Sequence, residues 1–285
     1  MVINTLTSCK MKTISEMRKE IMNRPPADDL IQDLLPDSSS AYMLICGRSG
    51  IGKTFLALNM LYCLTTGEPF LSHKTKPCKV GYLSMEGSDR KILNRFNTIA
   101  NSFPPNAEDN IFWEHTTAIT LTDSGVQQLE EIICGLDVII IDPLRPLIAG
   151  DYTSPKDANA FLKRLQIVQN ETSTRLVLIH HIRKPDKRVK VQPEDLQFEV
   201  KGAAEYVEAA TTVLHLERAK QPQDNLGRFQ HSSDDRVLHF VKVKDAPTEL
   251  KPITLRFDRA RMLFLPLINN SPEEQDLSYN HLGNG

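Results

Sequence analysis

Ala41-Tyr-Met-Leu-Ile-Cys-Gly47-Arg-Ser-Gly-Ile-Gly-Lys-Thr54-Phe-Leu-Ala-Leu-Asn-Met-Leu-Tyr-Cys-Leu64 decides the fold of this 285-residue chain. Its centre, Gly47 to Thr54, satisfies G-x-x-x-x-G-K-[ST], the pattern of a phosphate-binding loop. The apolar run before it reads as a buried parallel strand, and the stretch from Phe55 to Leu64 reads as a helix. Strand, loop and helix in that order are what phosphate binding needs. Gly47, Gly50 and Gly52 let the backbone wrap closely round phosphate oxygens, while the helix start directs free N–H groups and a positive dipole end at them. Lys53 is expected to reach the β- and γ-phosphates, and the Thr54 hydroxyl to ligate Mg²⁺. The nucleotide-binding set is therefore Gly47, Ser49, Gly50, Ile51, Gly52, Lys53, Thr54 and Phe55.

Outward from the loop, apolar runs alternate with helical stretches, the sign of a mostly parallel sheet with helices on both faces. Strands are expected over 79–84, 111–115, 138–142 and 175–180, and helices over 89–101, 123–134 and 155–170, the second capped by Asp123 or Ser124. The later runs at 211–216, 236–243, 253–258 and 262–265 give a β-rich C-terminal part. Before the loop, residues 1–40 read as a helical arm. Met11 to Met22 places Ile14, Met17, Ile21 and Met22 on or near one face, and Asp28 to Leu35 suggests a second short helix. The arm either packs on its own domain or docks on a neighbouring subunit. Residues 41–268 form one domain by this reading, and the polar stretch 269–285 a flexible tail.

Val138-Ile-Ile-Ile-Asp142 ends in the acid that partners a phosphate loop, at the sheet edge where a carboxylate holds a Mg²⁺-bound water. Glu86, in Tyr82-Leu-Ser-Met-Glu86, closes the strand after the loop helix. It is placed to polarise an attacking water, or simply to serve as an acid favoured at a helix N-terminus. His180 and His181 end another strand, where period 2 sends them to opposite faces, so at most one meets the nucleotide. Adjacent histidines rarely converge on one ion, which argues against zinc.

The bulk numbers narrow the class. A net charge of −2 provides no global basic field for nucleic acid, so any such contact comes from local patches or assembly. Cys9, Cys46, Cys63, Cys78 and Cys134 are scattered and form no C-x-x-C pair, as in a reduced cytoplasmic protein. No signal peptide or membrane span is recognisable.

Together GRSGIGKT, YLSMEGSD, VIIIDPL, LVLIHHIRKP, EVKGAAEYVEAATTVLHL and FVKVKDAP resemble the RecA-like ATPases of the hexameric replicative helicase branch, most of all plasmid RepA-type helicases. The resemblance spans residues 41–264. It implies a RecA-like P-loop core, ATP and Mg²⁺, a homo-oligomer in the form of a hexameric ring, and single-stranded DNA as partner. Glu86 matches the family's catalytic glutamate and His181 its γ-phosphate sensor. Lys242 and Lys244 are similar to a basic pair that such rings insert into the neighbour's nucleotide site, although two solvated edge-strand lysines would look the same. A loop carrying Arg183, Lys184, Lys187, Arg188 and Lys190 would face the channel and gather strand phosphates, or remain a solvated charged loop. The same core also serves ATP-dependent switches of the recombinase or KaiC kind and DNA-maintenance accessory proteins, none of which unwinds DNA.

Overall fold

The computed structural model describes residues 11–23, 29–38, 40–182, 204–219, 233–244, 246 and 248–267. Its frame is a nine-stranded sheet. In chain order the strands are β1 (Tyr42–Gly47), β2 (Val80–Ser84), β3 (Ile111–His115), β4 (Val138–Asp142), β5 (Arg175–His181), β6 (Thr212–Arg218), β7 (Asp235–Val243), β8 (Ile253–Asp258) and β9 (Leu263–Pro266). Across the sheet they run β3-β2-β4-β5-β1-β6-β7-β8-β9. The first six of that order are parallel, and β7, β8 and β9 extend the sheet antiparallel from β6.

The helices are α1 (Ile14–Met22), α2 (Lys53–Thr66), α3 (Asp89–Ala100), α4 (Asp123–Ile133), α5 (Pro155–Thr172) and α6 (Glu205–Ala209). Period-2 alternation divides the strand side chains between two cores. Met43, Ile45, Tyr82, Ile140 and Ile179 face α2 and α3. Leu44, Cys46, Leu83, Ile141 and Leu178 face α4, α5 and α6. With both faces covered, the parallel strands must be apolar throughout, which is why Tyr42–Gly47 is buried at every position. Helix α2 is apolar nearly all round and buried from Leu56 to Thr65, whereas α3 buries only Ile92, Phe96 and Ile99.

The short helix expected over Asp28 to Leu35 does not form. The Leu30 and Ile31 N–H groups donate to the Leu35 carbonyl, Leu35 N–H donates back to Ile31, and Ile31 also bridges Thr75. That turn buries Leu30, Ile31, Leu34 and Leu35 together, and the backbone is taken by a neighbouring segment instead of a helix: Gln32 N–H donates to the Lys74 carbonyl at 2.8 Å and Lys76 N–H to the Leu30 carbonyl at 3.0 Å. Helix α4 is capped by Thr122, one residue before the expected Asp123, through a 3.3 Å bond from Gly125 N–H to Thr122 Oγ1. Helix α1 is closed by a capping box between Thr13 and Glu16 and buries none of its residues, so Ile14, Met17, Ile21 and Met22 all stand exposed. Among the described residues no helix is long and apolar enough to cross a membrane.

Candidate functional site

The strand order builds the site. Strand β5 lies between β1, which leads into the phosphate loop, and β4, which ends in Asp142. The carboxyl ends of β1, β5, β4 and β2 thus stand in a row along one edge, and each delivers one polar side chain. The crevice outside such an edge is where open α/β sheets bind ligands.

Thr54 Oγ1 donates to Asp142 Oδ2 at 2.6 Å, and Tyr82 OH donates to the same oxygen at 2.8 Å. Burial first, then the Asp142 charge, pushes the Tyr82 phenol well above its usual range, so it stays a donor. Lys53 is only 6% exposed. Its Nζ donates to the carbonyls of Gly47 at 2.9 Å and Arg48 at 3.0 Å, and lies 3.4 Å from His181 Nδ1. Burial holds the Lys53 ammonium below its ordinary pKa, opposed by Asp142, Cys46 and Glu86 in that order. Glu86 stands exposed on the rim of the same cavity, its loop pinned by Ser84 Oγ donating to the Glu86 carbonyl at 3.0 Å and Met85 N–H donating to the Asp142 carbonyl at 2.8 Å. His180 goes the other way and is buried with its ring 5.9 Å from Tyr206.

Lys53, Thr54, Glu86, Asp142 and His181 line a cavity of about 420 Å³. Its far wall comes from parts of the chain in which the sequence carried no motif: Arg95 on α3, Arg218 on β6, Asp234, Arg236 on β7, and Phe257 and Arg259 at the end of β8. Phe55 and Phe257 pack with ring centroids 5.0 Å apart, and the Arg95 guanidinium sits 5.4 Å over the Phe55 ring. Apolar rings beside guanidinium groups suit a flat heteroaromatic base. Arg236 Nε donates to the Ile51 carbonyl at 3.0 Å and so ties the phosphate loop to β7. Two glycines of the loop have no substitute. At Gly47 (φ 156°) an added Cβ would meet the Leu216 carbonyl oxygen at 2.5 Å, and at Gly52 (φ 114°) the Phe264 ring at 2.7 Å.

Lys242 and Lys244 lie at the opposite edge of the sheet, because β7 runs antiparallel to β6 and Val243 pairs with Thr212. Lys242 Nζ donates to the carbonyls of Val207 at 3.0 Å and Glu208 at 2.6 Å, closing the end of α6 within its own chain, while Lys244 is exposed. Arg183, Lys184, Lys187, Arg188 and Lys190 lie outside the described residues.

The donor set fits Mg²⁺. Thr54 and Asp142 present hard oxygens 2.6 Å apart, and an octahedral ion that keeps its waters binds such carboxylate and hydroxyl groups. Loop, acid pair and cavity at the edge of this sheet define a RecA-like P-loop nucleotide-binding protein. The chain belongs to the AAA_25 family of AAA domains, which matches residues 6–187. Solved structures agree on the fold. One, described as an ATPase domain, superposes with a TM-score of 0.59 at 14% identity, covering 81% of this chain and 86% of that one. A DnaB-like replicative helicase, solved in a study of its interactions with primase, gives 0.62 at 14% identity over 91% of this chain and 68% of that one. The flagellar accessory protein FlaH from Methanocaldococcus jannaschii gives 0.52 at 14% identity over 81% and 91%. No curated protein matches the sequence significantly.

Proposed function

We propose that the protein is a Mg²⁺-dependent ATPase that assembles into a hexameric ring and moves along single-stranded DNA, in the manner of plasmid RepA-type helicases. The observation that carries the hydrolytic part is the gathering of Lys53, Thr54, Asp142, Glu86 and His181 round one cavity from four neighbouring strand ends.

In this reading the phosphate-loop N–H groups and Lys53 hold the β- and γ-phosphates. Partial desolvation of Lys53 makes its charge worth more to them than in water. Thr54, and Asp142 through water, would hold Mg²⁺, which would offset charge on the same phosphates. Glu86 orients a water and accepts its proton as the water oxygen bonds to the γ-phosphorus and the bond to the β-phosphate oxygen breaks, giving ADP and inorganic phosphate. His181, 3.4 Å from Lys53 Nζ, senses whether that ammonium has turned toward a γ-phosphate. Phe55, Phe257 and Arg95 flank the base. Lys242 and Lys244, at the sheet edge far from their own chain's cavity, act only on the site of another copy, and the bare apolar stripe of α1 docks on that neighbour. The basic residues from Arg183 to Lys190 contact the strand.

The test is ATP hydrolysis with and without single-stranded DNA, alongside solution mass for the full chain and for a chain lacking residues 1–23. DNA-stimulated turnover by an oligomer that falls to monomer on truncation supports the whole reading. Slow turnover indifferent to DNA favours the second one, an ATP-dependent switch that docks a protein partner. That alternative is supported by the likeness to FlaH, a flagellar accessory protein.

A further inference from the structure

On the other flank of the phosphate loop, between β1 and the end of β6, lies a second cavity of about 370 Å³. Arg48, Ile182, His215 and Glu217 line it alone, whereas Ser49, Gly50, Ile51 and Arg218 also line the nucleotide cavity. His215 projects to the α5–α6 side of the sheet, opposite Cys46 on β1, whereas the nucleotide cavity opens beside α2 and α3. Its ring is 1% exposed, stacks on His239 with centroids 6.1 Å apart, and neither ring nitrogen has a hydrogen-bond partner among the described residues. Burial, with Arg48, Lys53 and His239 adding to it against Glu217, pushes its pKa down to about 4. A buried imidazole with both nitrogens unsatisfied is uncommon and calls for a ligand. The residues around it say which kind. Neither the Arg48 nor the Arg218 guanidinium makes an ion pair or hydrogen bond among the described residues. Glu217, the one acid on the rim, already accepts from His239 Nε2 at 2.8 Å. The described His, Cys, Asp and Glu residues form no group of three that would hold a metal.

We propose that this cavity is a second oxyanion site, adjoining the one that takes the nucleotide's phosphates and sharing Arg218 with its wall, and that it binds a phosphate group through Arg48, Arg218 and an N–H of His215. Planar guanidinium forks on the rim and a buried neutral N–H donor behind them match a tetrahedral oxyanion. The group is either free inorganic phosphate or a phosphodiester of a nucleic-acid strand, which share this chemistry.

The experiment follows the imidazole resonances of the full-length protein by two-dimensional ¹H–¹⁵N NMR, first saturated with Mg²⁺ and a non-hydrolysable ATP analogue. Inorganic phosphate is titrated in one arm and oligothymidylate in the other. The result expected is a saturable shift of the His215 signal in at least one arm, weakened about tenfold in Arg48→Gln, while His215→Gln, which identifies the resonance by its loss, binds the analogue as wild type does. The responding arm identifies the source of the phosphate. A His215 signal indifferent to both anions overturns the proposal, and so does a shift that appears only without the analogue, because the anion then occupies the nucleotide's own site. The proposal does not rest on hydrolysis: a chain that binds no nucleotide defeats the functional reading, and the same titrations still decide this one.

Discussion

Thr54 Oγ1 donates to Asp142 Oδ2 at 2.6 Å across eighty-eight residues of sequence and one intervening strand. The pair joins the first turn of α2 to the end of β4. It also fixes where a divalent cation would sit, since each group is an oxygen donor and Tyr82 holds the carboxylate's orientation from behind. Thr54→Ala and Asp142→Asn are each expected to raise the Mg²⁺ concentration needed for half-maximal hydrolysis by roughly 10–100-fold. A titration of rate against Mg²⁺ reads this directly, and an unchanged midpoint would remove both residues from the ion's environment.

Glu86→Gln keeps the shape of the rim and removes the proton acceptor. Turnover should drop by roughly 10²–10⁴-fold while the affinity for nucleotide changes little. Parallel loss of both would mean that the glutamate acts on binding, as an acid at the start of α3 would.

Gly52→Ala tests the contact between the loop and β9. The new Cβ falls 2.7 Å from the Phe264 ring at a backbone angle that side chains rarely adopt. We expect a loss of about 1–3 kcal/mol in urea unfolding together with weaker nucleotide binding. Shortening the ring by Phe264→Leu should recover part of the stability in the double variant. No recovery would mean that the backbone angle alone is responsible.

Lys242 and Lys244 separate by what they touch. Lys242→Met removes the closure of α6 and should cost about 1–2 kcal/mol in the isolated chain, whereas Lys244→Met should leave stability unchanged. If both lysines also serve a neighbour's site, mixing either variant with Glu86→Gln chains should restore no more than the fraction of interfaces having both wild-type sides.

Acid stability follows His215. The unfolded chain takes up this proton near pH 6.5 and the folded chain only near pH 4, so between those values the unfolded state binds more protons. Stability is therefore complete above pH 6.5 and declines as pH falls, by about 3 kcal/mol at pH 4 from this group. Urea unfolding from pH 7.5 to pH 4 should show that slope in wild type, and His215→Phe should flatten it. A parallel slope in the variant assigns acid sensitivity to other groups.

The parts of the molecule that can be read in the sequence are those whose signal is local. The phosphate loop, the strands at Val138–Asp142 and Arg175–His181, and the opposite facing of the two histidines follow from short apolar runs and period 2. Arg95, Arg236 and Phe257 belong to the same cavity yet carry no such mark. The position of Arg236 and Phe257 depends on β7 and β8 adding antiparallel to β6, a matter of sheet order that no window of sequence contains, and Arg95 meets them only through the packing of α3. The turn at Leu30–Leu35 departs from the expected helix for a related reason. Its four apolar residues have helical spacing, but Thr75, forty-four residues away from Ile31, competes for the backbone and wins. The second cavity leaves no trace in the sequence either, because His215 is one of eight histidines until its burial and its surroundings are known.

Phe264 lies against Gly52, and Asn59 Oδ1 accepts from the Phe264 N–H at 2.7 Å, so the last described strand forms the floor beneath the first nucleotide motif. A chain emerging from the ribosome therefore displays its complete phosphate loop some two hundred residues before the loop has its support. The loop gains that floor only when β9 has been made and added to the sheet, so closing the sheet and completing the nucleotide site are one event.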